Sequence, residues 1–387
     1  MKESLLAFYY VFIVISFSYL ILSLVFFTFN KLKKSKYREE YYPSVSIVIP
    51  AYNEEDNISD ALERLISNPY RNFADLEVIV VDDGSTDRTY EIVDEYTKKF
   101  NFIKLYKKQN EKRAAALNYG IQQATNEIVI CLDADTIVEE KAIFNIVKPF
   151  QVEEVKAVAS HIEVKLGKSL LELFQYLEYK FTMSIEKRFQ DSINFITCVS
   201  GAFGAFRKSI FTEVMFDKES LAEDMDLTFA IKQRGYKVVY APDAVAVTKA
   251  PSNIKSLYNQ RVRWVLGLFQ VISKYKHALL CISNCNQTLF LSFWYMLLFG
   301  FVYNYILSNV LLVSFIYFMF TMPLSTFLTL VSIIIGIDGI VFSGLGKEIS
   351  KKRFGVIDIT RKLFFYLFNN FVLVSALYRL KNKQFHW

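Results

Sequence analysis

The stretch EIVICLDADT, residues 127–136, is an apolar run that ends in two carboxylates, Asp133 and Asp135. A continuous apolar run of this length is typical of a strand that is buried on both faces of a sheet. Charged side chains are costly inside such a sheet, so the two aspartates are expected where the strand leaves it. The stretch therefore predicts a buried strand with a polar group of residues at its carboxyl end.

Similar apolar runs occur three times upstream, and helical periodicity separates them. The runs are VSIVIP (45–50), EVIVV (77–81) and FIKLY (102–106), and the helical patterns cover residues 54–67, 87–100 and 112–124. Strands that alternate with helices at this spacing predict a mostly parallel sheet with helices on both sides. The predicted fold class is therefore α/β.

The remaining apolar residues are concentrated outside this α/β segment. The chain has 387 residues, of which 53% are hydrophobic, and residues 5–29 and 278–337 contain no charged side chain. A membrane helix needs about 20 apolar residues, so the first segment predicts one span and the second predicts two. The sequence does not decide whether residues 363–380 cross the membrane or lie in its interface.

The basic residues set the expected orientation. Lys31, Lys33 and Lys34 follow the first apolar segment, which places the residues after it in the cytosol. The chain is thus predicted to be a multi-pass protein of the cell membrane with a cytosolic catalytic domain. The predicted domains are a transmembrane helix (1–30), a cytosolic α/β domain (42–250), interfacial amphipathic helices (251–285) and a membrane region with two to three transmembrane helices (286–387).

Charge, cysteine and histidine content exclude several classes of function. The net charge of +6 is explained by the basic residues that flank the apolar segments, so no nucleic-acid partner is expected. The four cysteines have no C-x-x-C spacing, and the three histidines are isolated, which argues against a zinc site or a histidine-based triad. Any metal is expected to be held by oxygen ligands.

Polar residues follow three of the predicted strands. They are PAYNEE (50–55), DDGSTD (82–87) and DADT (133–136). Ligands of open parallel sheets bind beyond the carboxyl ends of the strands, so the three segments are expected to line one crevice. Carboxylates gathered there suit Mg²⁺ or Mn²⁺, which in turn can hold phosphates.

The order and spacing of several motifs resemble family 2 glycosyltransferases. The motifs are VSIVIPAYNEEDNI, VDDGSTDRT, LDADT, SGAFGAFRKSIF, EDMDL and QRVRW, and the resemblance covers about residues 43 to 270. It is greatest to the membrane-embedded synthases of hyaluronan, chitin, cellulose and poly-N-acetylglucosamine. The resemblance implies a nucleotide-sugar domain of the GT-A type and a transfer that inverts the anomeric carbon.

The resemblance also implies roles for individual residues. Donor-binding roles fall on Pro50, Tyr52, Glu54, Asp82, Asp83, Lys112, Asp133 and Asp135. The metal would be held by Asp135 and Asp133, and catalysis would rest on Asp224, the base, with Glu223. The pyrophosphate and acceptor sites would include Gly201, Gln260, Arg263 and Trp264. Related sequences often carry Gly-Lys where this chain has Glu111-Lys112, which weakens the assignment of Lys112.

The local sequence around Asp224 supports its assigned role on physical grounds. AEDMDLTFAIKQRG predicts a helix that starts near Glu223 and is capped by Gly235. Asp224 shares a face with the apolar positions three and seven residues further on, whereas Asp226 is expected to point away. An acceptor hydroxyl needs a base to take its proton, and an inward-facing carboxylate is suited to that task.

The segment 251–280 predicts an interfacial helix with a functional face. Gln260, Arg263 and Trp264 are spaced i, i+3 and i+4, so they lie on the same side of it. Arginine suits a pyrophosphate and tryptophan offers a flat surface for a sugar ring, although Trp264 is equally well explained as a membrane-interface anchor.

Three functions are compatible with these observations. The first is addition of sugars from a UDP- or GDP-sugar to a growing polysaccharide, and the second is a single transfer to a lipid-linked or polyprenyl-linked acceptor. The third is an inactive sugar-nucleotide sensor or assembly subunit, which the intact carboxylates disfavour. Expected partners are the nucleotide sugar, a carbohydrate or lipid-linked acceptor, membrane lipids and a second copy of the chain. Three apolar spans are too few to enclose a polymer channel, so a single copy is expected either to hand its product to a lipid-side acceptor or to pair with a second copy or another partner.

Overall fold

The computed structural model describes residues 37–279, 287–298 and 354–382, together with 301, 317, 320, 321 and 323. The described residues fall into two compact units. One lies within Lys33–Ser252 and Gly267–Phe293, and the other within Asn253–Leu266 and Trp294–Trp387.

The first unit is built on a sheet of eight strands in the described part of the chain. The strands are β1 (Val45–Ala51), β2 (Leu76–Asp82), β3 (Ile103–Lys107), β4 (Ile128–Leu132), β5 (Ile137–Val138), β6 (Val155–Val164), β7 (Phe203–Arg207) and β8 (Lys237–Thr248). Their order across the sheet is β3-β2-β1-β4-β7-β6-β8-β5.

Ten α-helices connect or follow the strands among the described residues. They are α1 (Ile58–Ile66), α2 (Thr89–Lys99), α3 (Arg113–Gln123), α4 (Ala142–Val147), α5 (Leu170–Phe181), α6 (Lys187–Ser192), α7 (Glu223–Gln233), α8 (Ile254–Lys274), α9 (Gln287–Tyr295) and α10 (Phe354–Lys381). The first four strands and three helices fall within four residues of the predicted boundaries, and Gly235 follows α7 with a φ of +88°. The last observation confirms the predicted glycine cap.

Close packing of α3 against the sheet positions the start of that helix. A Cβ atom on Gly120 would lie 2.4 Å from Cγ1 of Val48 and 3.0 Å from Cγ2 of Val81. Only glycine leaves room for the helix to approach β1 and β2 this closely. The first residue of α3, Arg113, is thereby placed at the carboxyl ends of the strands.

The sheet is mixed: β6 and β8 pair in parallel in its second half, but antiparallel pairings also occur there, so the prediction of a mostly parallel sheet holds fully only for the first four strands. β1 pairs in parallel with β2 and β4, and β2 with β3, as predicted. β7 runs antiparallel to both β4 and β6, and β5 runs antiparallel to β8. The reason lies in the chain path, because β7 starts where β4 ends: Phe203 pairs with Leu132, and Asp133 donates its N–H to Ala202 O at 3.1 Å.

Within the described residues, no helix combines the length and the apolar character needed to cross a membrane. The predicted span at residues 5–29 and most of the apolar segment 278–337 lie outside the described residues. Residues 363–380 belong to α10.

Candidate active site

The loops that follow β1 and β2 are locked together by hydrogen bonds. Asn53 donates its N–H to Ser85 Oγ at 3.0 Å and accepts the N–H of Thr86 at 2.9 Å. Glu54 donates its N–H to Thr89 Oγ1 at 2.7 Å. Many polar residues of PAYNEE and DDGSTD therefore hold these two loops together. This agrees with the prediction that the two segments lie at the same edge of the sheet.

The two adjacent aspartates of the second loop have different surroundings. Asp83 accepts from Lys108 Nζ at 2.8 Å and from the N–H of Glu111 at 3.2 Å. Asp82 is fully buried, its Oδ1 accepts from the N–H of Ser85 at 3.2 Å, and its Oδ2 has no partner among the described residues. A buried oxygen without a partner costs about 1–3 kcal/mol. Asp82 therefore has a buried oxygen that no described group satisfies, whereas Asp83 orients the loop that leads to α3.

A single arginine joins the segments that carry the predicted site. Arg113 donates to Asp133 Oδ1 from Nε at 2.9 Å and from Nη2 at 2.6 Å. Its Nη1 donates to Glu223 Oε1 at 2.6 Å, and its Nη2 also donates to Gly201 O at 2.8 Å. The aspartates after β4, the segment before β7 and the start of α7 are thus brought together.

This cluster contains more acidic groups than cations. Burial alone lowers the pKa of Arg113, but Asp133 and Glu223 raise it by more, so the guanidinium stays charged. Burial raises the pKa of Asp133, Arg113 offsets only part of this effect, and Asp135 and Asp224 add to it. A site with this excess of carboxylates attracts a further positive group, such as a metal ion.

Gly201 leaves room for the guanidinium of Arg113, and Lys112 precedes Arg113 with a positive φ. A Cβ atom on Gly201 would lie 2.6 Å from Nη2 of Arg113, so a larger residue would displace the guanidinium. Lys112 has a φ of +72°, a conformation that favours glycine, and its side chain is exposed.

Lys112 thus has a backbone conformation that favours glycine, and the next residue, Arg113, is the cation in the cluster. Sequence reasoning missed Arg113, and a search for a cation directly after a residue with positive φ, at the start of a helix, would have found it.

Asp224 lies next to this cluster, in the first turn of α7. It is half-buried, its Oδ2 accepts from the N–H of Gly201 at 3.1 Å, and its Oδ1 accepts from the N–H of Met225 at 2.8 Å. Asp226, predicted to point away from the face of Asp224, is buried on the other side of the helix, where it accepts from Lys274 Nζ at 2.7 Å. The helix is covered on two sides, by the sheet and by residues 267–279, so a one-sided pattern does not apply to it.

Asp135 opens onto a cavity. Its Oδ1 accepts from the hydroxyls of Thr136 at 3.2 Å and Thr248 at 3.3 Å. The cavity has a volume of about 260 Å³ and is lined by Asn57, Asp60, Asp135, Ile137, Lys165, Val247, Thr248 and Lys249. Ligand pockets are commonly 300–1,000 Å³, so a cavity of this size suits one group of a larger substrate.

Glu54 lies close to the same carboxylates. Burial raises its pKa, the side-chain hydrogen bond from Asn57 at 2.6 Å lowers it, and Asp135 and Asp133 raise it further. The residue predicted to border the base is thus within electrostatic reach of the aspartates after β4. Pro50 lies in β1 opposite Val81, and the ring of Tyr52 is 48% exposed beyond the strand end.

The oxygen ligands near the cavity fit a divalent cation that is completed by substrate. No cluster of three or more His, Cys, Asp or Glu side chains able to hold a metal occurs in the described part of the chain. Mg²⁺ is usually held by one or two carboxylates together with substrate phosphates, a requirement that Asp133 and Asp135 meet. Asp135 is the more available of the two, because its described partners are neutral hydroxyls.

The Q-x-x-R-W residues lie on α8, within the second unit. Gln260, Arg263 and Trp264 are half-buried, and the guanidinium of Arg261 lies 4.6 Å from the centre of the Trp264 ring and 5.5 Å from that of Phe365. Their helical spacing is confirmed, and their roles at the pyrophosphate and acceptor stay predictions.

Comparison with known proteins identifies relatives of this domain. Residues 46–215 match the family described as Glycosyl transferase family 2. The poly-beta-1,6-N-acetyl-D-glucosamine synthase of Staphylococcus epidermidis is 32% identical over 63% of the chain and 59% of its own length. The synthase of the same name from Staphylococcus aureus (strain MSSA476) is 31% identical over 62% of the chain and 58% of its length. The chain thus spans about three fifths of these curated relatives.

A solved structure has the same fold. It is the mannosyltransferase PcManGT from Pyrobaculum calidifontis, in complex with GDP-Man and Mn²⁺, at a TM-score of 0.63. Its sequence is 20% identical, and the likeness covers 94% of the chain and 97% of that protein. The mixed α/β sheet is therefore of the GT-A-like type.

Proposed function

The chain carries a family 2 glycosyltransferase domain, and from this premise we propose that it transfers a sugar from a nucleotide-diphospho-sugar to a hydroxyl of a growing polysaccharide. One observation carries the proposal: Arg113 bonds both Asp133 and Glu223, so Asp224 lies beside the carboxylates that follow β4. The names of the curated relatives support N-acetylglucosamine as the sugar.

The nucleoside of the donor is assigned to the carboxyl ends of β1 and β2. Open α/β sheets bind ligands there, and at that position Asp82 has a buried oxygen without a partner among the described residues. Pro50, Tyr52 and Glu54 border the same place, and the diphosphate would extend from it towards Asp133 and Asp135. In this assignment Arg113 takes the donor-side role that the family resemblance implied for Lys112.

The metal is assigned to Asp135 and Asp133. A bound Mg²⁺ or Mn²⁺ would neutralise the charge that grows on the nucleoside diphosphate as it leaves. The structure of the Pyrobaculum mannosyltransferase, which contains Mn²⁺, supports this choice of ion by analogy of fold. Arg113 holds Asp133 in one orientation through two hydrogen bonds.

Asp224 is assigned the role of general base. Its carboxylate is fixed by the N–H groups of Gly201 and Met225. The acceptor hydroxyl gives its proton to Asp224 while its oxygen bonds to the anomeric carbon, and the bond from that carbon to the diphosphate breaks. Attack from the face opposite the leaving group inverts the anomeric carbon. The remaining roles, binding of the pyrophosphate and of the acceptor, are assigned to Gln260, Arg263 and Trp264.

We assign the chain to the cell membrane, with its catalytic domain in the cytosol. The support is the charge-free length of residues 5–29 and 278–337 and the basic residues after the first segment. Extraction of membranes with alkaline carbonate tests the assignment, since an integral protein stays in the pellet. Release of the full chain into the supernatant would contradict it.

The activity is tested with the purified full-length protein and labelled UDP-N-acetylglucosamine, with GDP-mannose as the alternative donor. We expect Mn²⁺-dependent incorporation of label into polymer, loss of transfer in EDTA and recovery when Mn²⁺ is restored. Asp135→Asn should weaken donor binding as well as turnover, whereas Asp243→Asn, a change at an exposed surface position, should alter neither. Failure to transfer or hydrolyse any nucleotide sugar would contradict the proposed function, and full activity in EDTA would contradict the metal assignment alone.

A further inference from the structure

The helix that carries the proposed base begins without a capping side chain. α7 starts at Glu223, and Ala222, at the N-cap position, makes no side-chain hydrogen bond to the first turn. Ser, Thr, Asp and Asn are preferred at this position because their side-chain oxygen fixes the start of a helix. The position of the first turn of α7, and of Asp224 within it, therefore depends on contacts from other elements.

One of these contacts is the close approach of α8 to the residues that lead into α7. A Cβ atom on Gly267 would lie 2.5 Å from Cβ of Ala222, 2.8 Å from its backbone nitrogen and 3.1 Å from the carbonyl carbon of Leu221. Only glycine leaves room for this packing. Glycine is less favourable than alanine in the interior of a helix, so the formation of α8 itself does not explain its presence there.

Gln270 lies one turn further along α8 and is hydrogen-bonded to the backbone of the same segment. Its Oε1 accepts from the N–H of Leu221 at 2.8 Å, and its Nε2 donates to the carbonyl oxygen of Glu219 at 3.3 Å. A further turn on, Lys274 Nζ donates to Asp217 Oδ2 at 2.8 Å. Residues 267, 270 and 274 are spaced i, i+3 and i+7, so one face of α8 holds residues 217–222, here called the connecting segment.

The connecting segment leads directly to the proposed base, because Asp224 is the second residue of α7. Arg113 of α3 holds the same turn from another direction, since its Nη1 donates to Glu223 Oε1 at 2.6 Å. A shift of Ala222 would therefore pass to Asp224, two residues later, and would disturb the hydrogen bond that Asp224 Oδ2 accepts from the N–H of Gly201 at 3.1 Å.

We propose that Gly267 and Gln270 are positioning residues for the transfer reaction: they fix the connecting segment against α8 and thereby hold Asp224 where it meets the acceptor hydroxyl. The inference rests on the proposed function of Asp224, and it assigns a role to two residues beyond the QRVRW motif, which ends at Trp264. Misplacement of a catalytic group by about 1 Å can cost about 10²-fold in rate. None of the residues assigned to the donor lies in the connecting segment, so a change there should affect turnover rather than donor binding.

The experiment compares variants of the full-length protein. The kcat of transfer and the KM of UDP-N-acetylglucosamine are measured with Mn²⁺, together with the Kd of UDP. Gly267→Ala introduces the Cβ atom that the contact excludes. Gln270→Met removes both hydrogen bonds of the amide, whereas Gln270→Glu keeps the acceptor for the N–H of Leu221. Ser273→Ala, at an exposed position of α8, is the control, and each change is also made in Asp224→Asn protein.

We expect Gly267→Ala to lower kcat by about ten-fold or more and to leave the KM of the donor and the Kd of UDP unchanged. Gln270→Met should lower kcat by a smaller factor, Gln270→Glu should retain most of the rate, and Ser273→Ala should change nothing. In Asp224→Asn protein, Gly267→Ala should lower the residual rate by no more than about two-fold, because the group through which it acts is already lost.

A purely structural role predicts a different result. Gly267→Ala would then lower the melting temperature without a change in kcat, or it would lower the rate by the same factor in the Asp224→Asn protein, and either outcome overturns the inference. If Gly267→Ala does not fold, as judged by thermal melting, the Gln270 variants carry the same test, and a wild-type kcat in Gln270→Met overturns it. Absence of transfer by the wild-type protein would contradict the proposed function, whereas an unchanged kcat in a folded Gly267→Ala protein contradicts only the positioning role.

Discussion

The two ends of β2 carry buried carboxylates that differ in how fully their oxygens are hydrogen-bonded. Glu77, at the amino end, accepts from Ser46 Oγ and Lys104 Nζ at 2.6 Å and from the N–H of Thr125 at 2.7 Å. Asp82, at the carboxyl end, has one backbone donor and an oxygen without a partner among the described residues. The same strand thus has a satisfied acid that stabilises the sheet at one end and an acid with an unsatisfied oxygen at the other.

The pKa shifts of carboxyl groups at the two ends of the strands show the same contrast. Burial alone would raise the pKa of Glu77, but hydrogen bonds from Lys104, Ser46 and Thr125 lower it to about 2. At the carboxyl ends of the strands, burial raises the pKa of Asp133 despite its bonds to Arg113. Local rules of polar satisfaction are most often broken at functional sites, so the unsatisfied end is the expected place for binding and catalysis.

The largest effect at the carboxyl end is expected from the proposed base. Asp224→Asn keeps the shape of the side chain and removes the proton acceptor, so turnover should fall by about 10²–10⁴-fold. Donor affinity should change little, because Asp224 acts on the acceptor. Steady-state transfer and calorimetric donor binding measure the two effects, and near-normal turnover would make Asp224 a helix-end charge without a catalytic role.

The next largest effect concerns the cation that holds the acids together. Arg113→Met leaves Asp133 and Glu223 facing each other without a counter-charge, which should cost roughly 3 kcal/mol or more of stability. Arg113→Lys keeps the charge but loses the fork that reaches both carboxylates, so it should restore only part of the loss. Chemical denaturation measures both variants, and an unaltered midpoint for the Met variant would contradict the central place of Arg113.

At the amino end, the expected effect is on stability alone. Glu77→Gln should lower the free energy of unfolding by about 1.5–3 kcal/mol near neutral pH, since a charged acceptor is lost. The pKa of Glu77 falls from the ordinary 4.5 to about 2 on folding, so its contribution is complete above pH 4.5 and is lost as the pH falls towards 2.

The difference between wild type and Glu77→Gln should therefore disappear in acid. Melting temperatures across this range measure it, with the exposed Glu154→Gln as the control. A difference that stays constant down to about pH 2 would show that the hydrogen bonds do not depend on the ionised form.

The smallest effect is expected at Lys112. Its positive φ costs a non-glycine residue about 1 kcal/mol, so Lys112→Gly should stabilise the protein by up to that amount and leave donor affinity unchanged. A thermal melting curve measures the change in stability, and a titration with the donor measures the affinity. Weaker donor binding by this variant would restore Lys112 to the donor site and reduce the part assigned to Arg113.

The sequence predicts the first half of the sheet well because burial on both faces leaves an unambiguous signal. β1, β2 and β4 are buried strands rich in Val and Ile, and the polar loops after them meet as a parallel arrangement requires. The direction of β7 leaves no such signal, since the apolar pattern of a buried strand is the same whether the strand is parallel or antiparallel to its neighbours. Only its pairing with β4 reveals it.

The candidate site was predicted less completely, for two physical reasons. Arg113 was missed because its role depends on the φ of the residue before it, which a Lys-Arg dipeptide does not reveal. The burial of Asp226 was not predicted because a single buried helical face was assumed, whereas Lys274 covers the other face. Tertiary contacts from distant segments, rather than local pattern, decided both.

The central claim is that the carboxyl ends of the strands bind the donor and the amino ends do not. The most direct test is calorimetric binding of UDP-N-acetylglucosamine with Mn²⁺ to Asp224→Asn protein, which prevents turnover, with either Asp82→Asn or Glu77→Gln added. We predict that Asp82→Asn weakens binding by about ten-fold or more, equivalent to about 1.4 kcal/mol, without loss of thermal stability, while Glu77→Gln binds as the parent does. Equal affinity in the Asp82→Asn protein, or an equal loss in the Glu77→Gln protein, would contradict the claim.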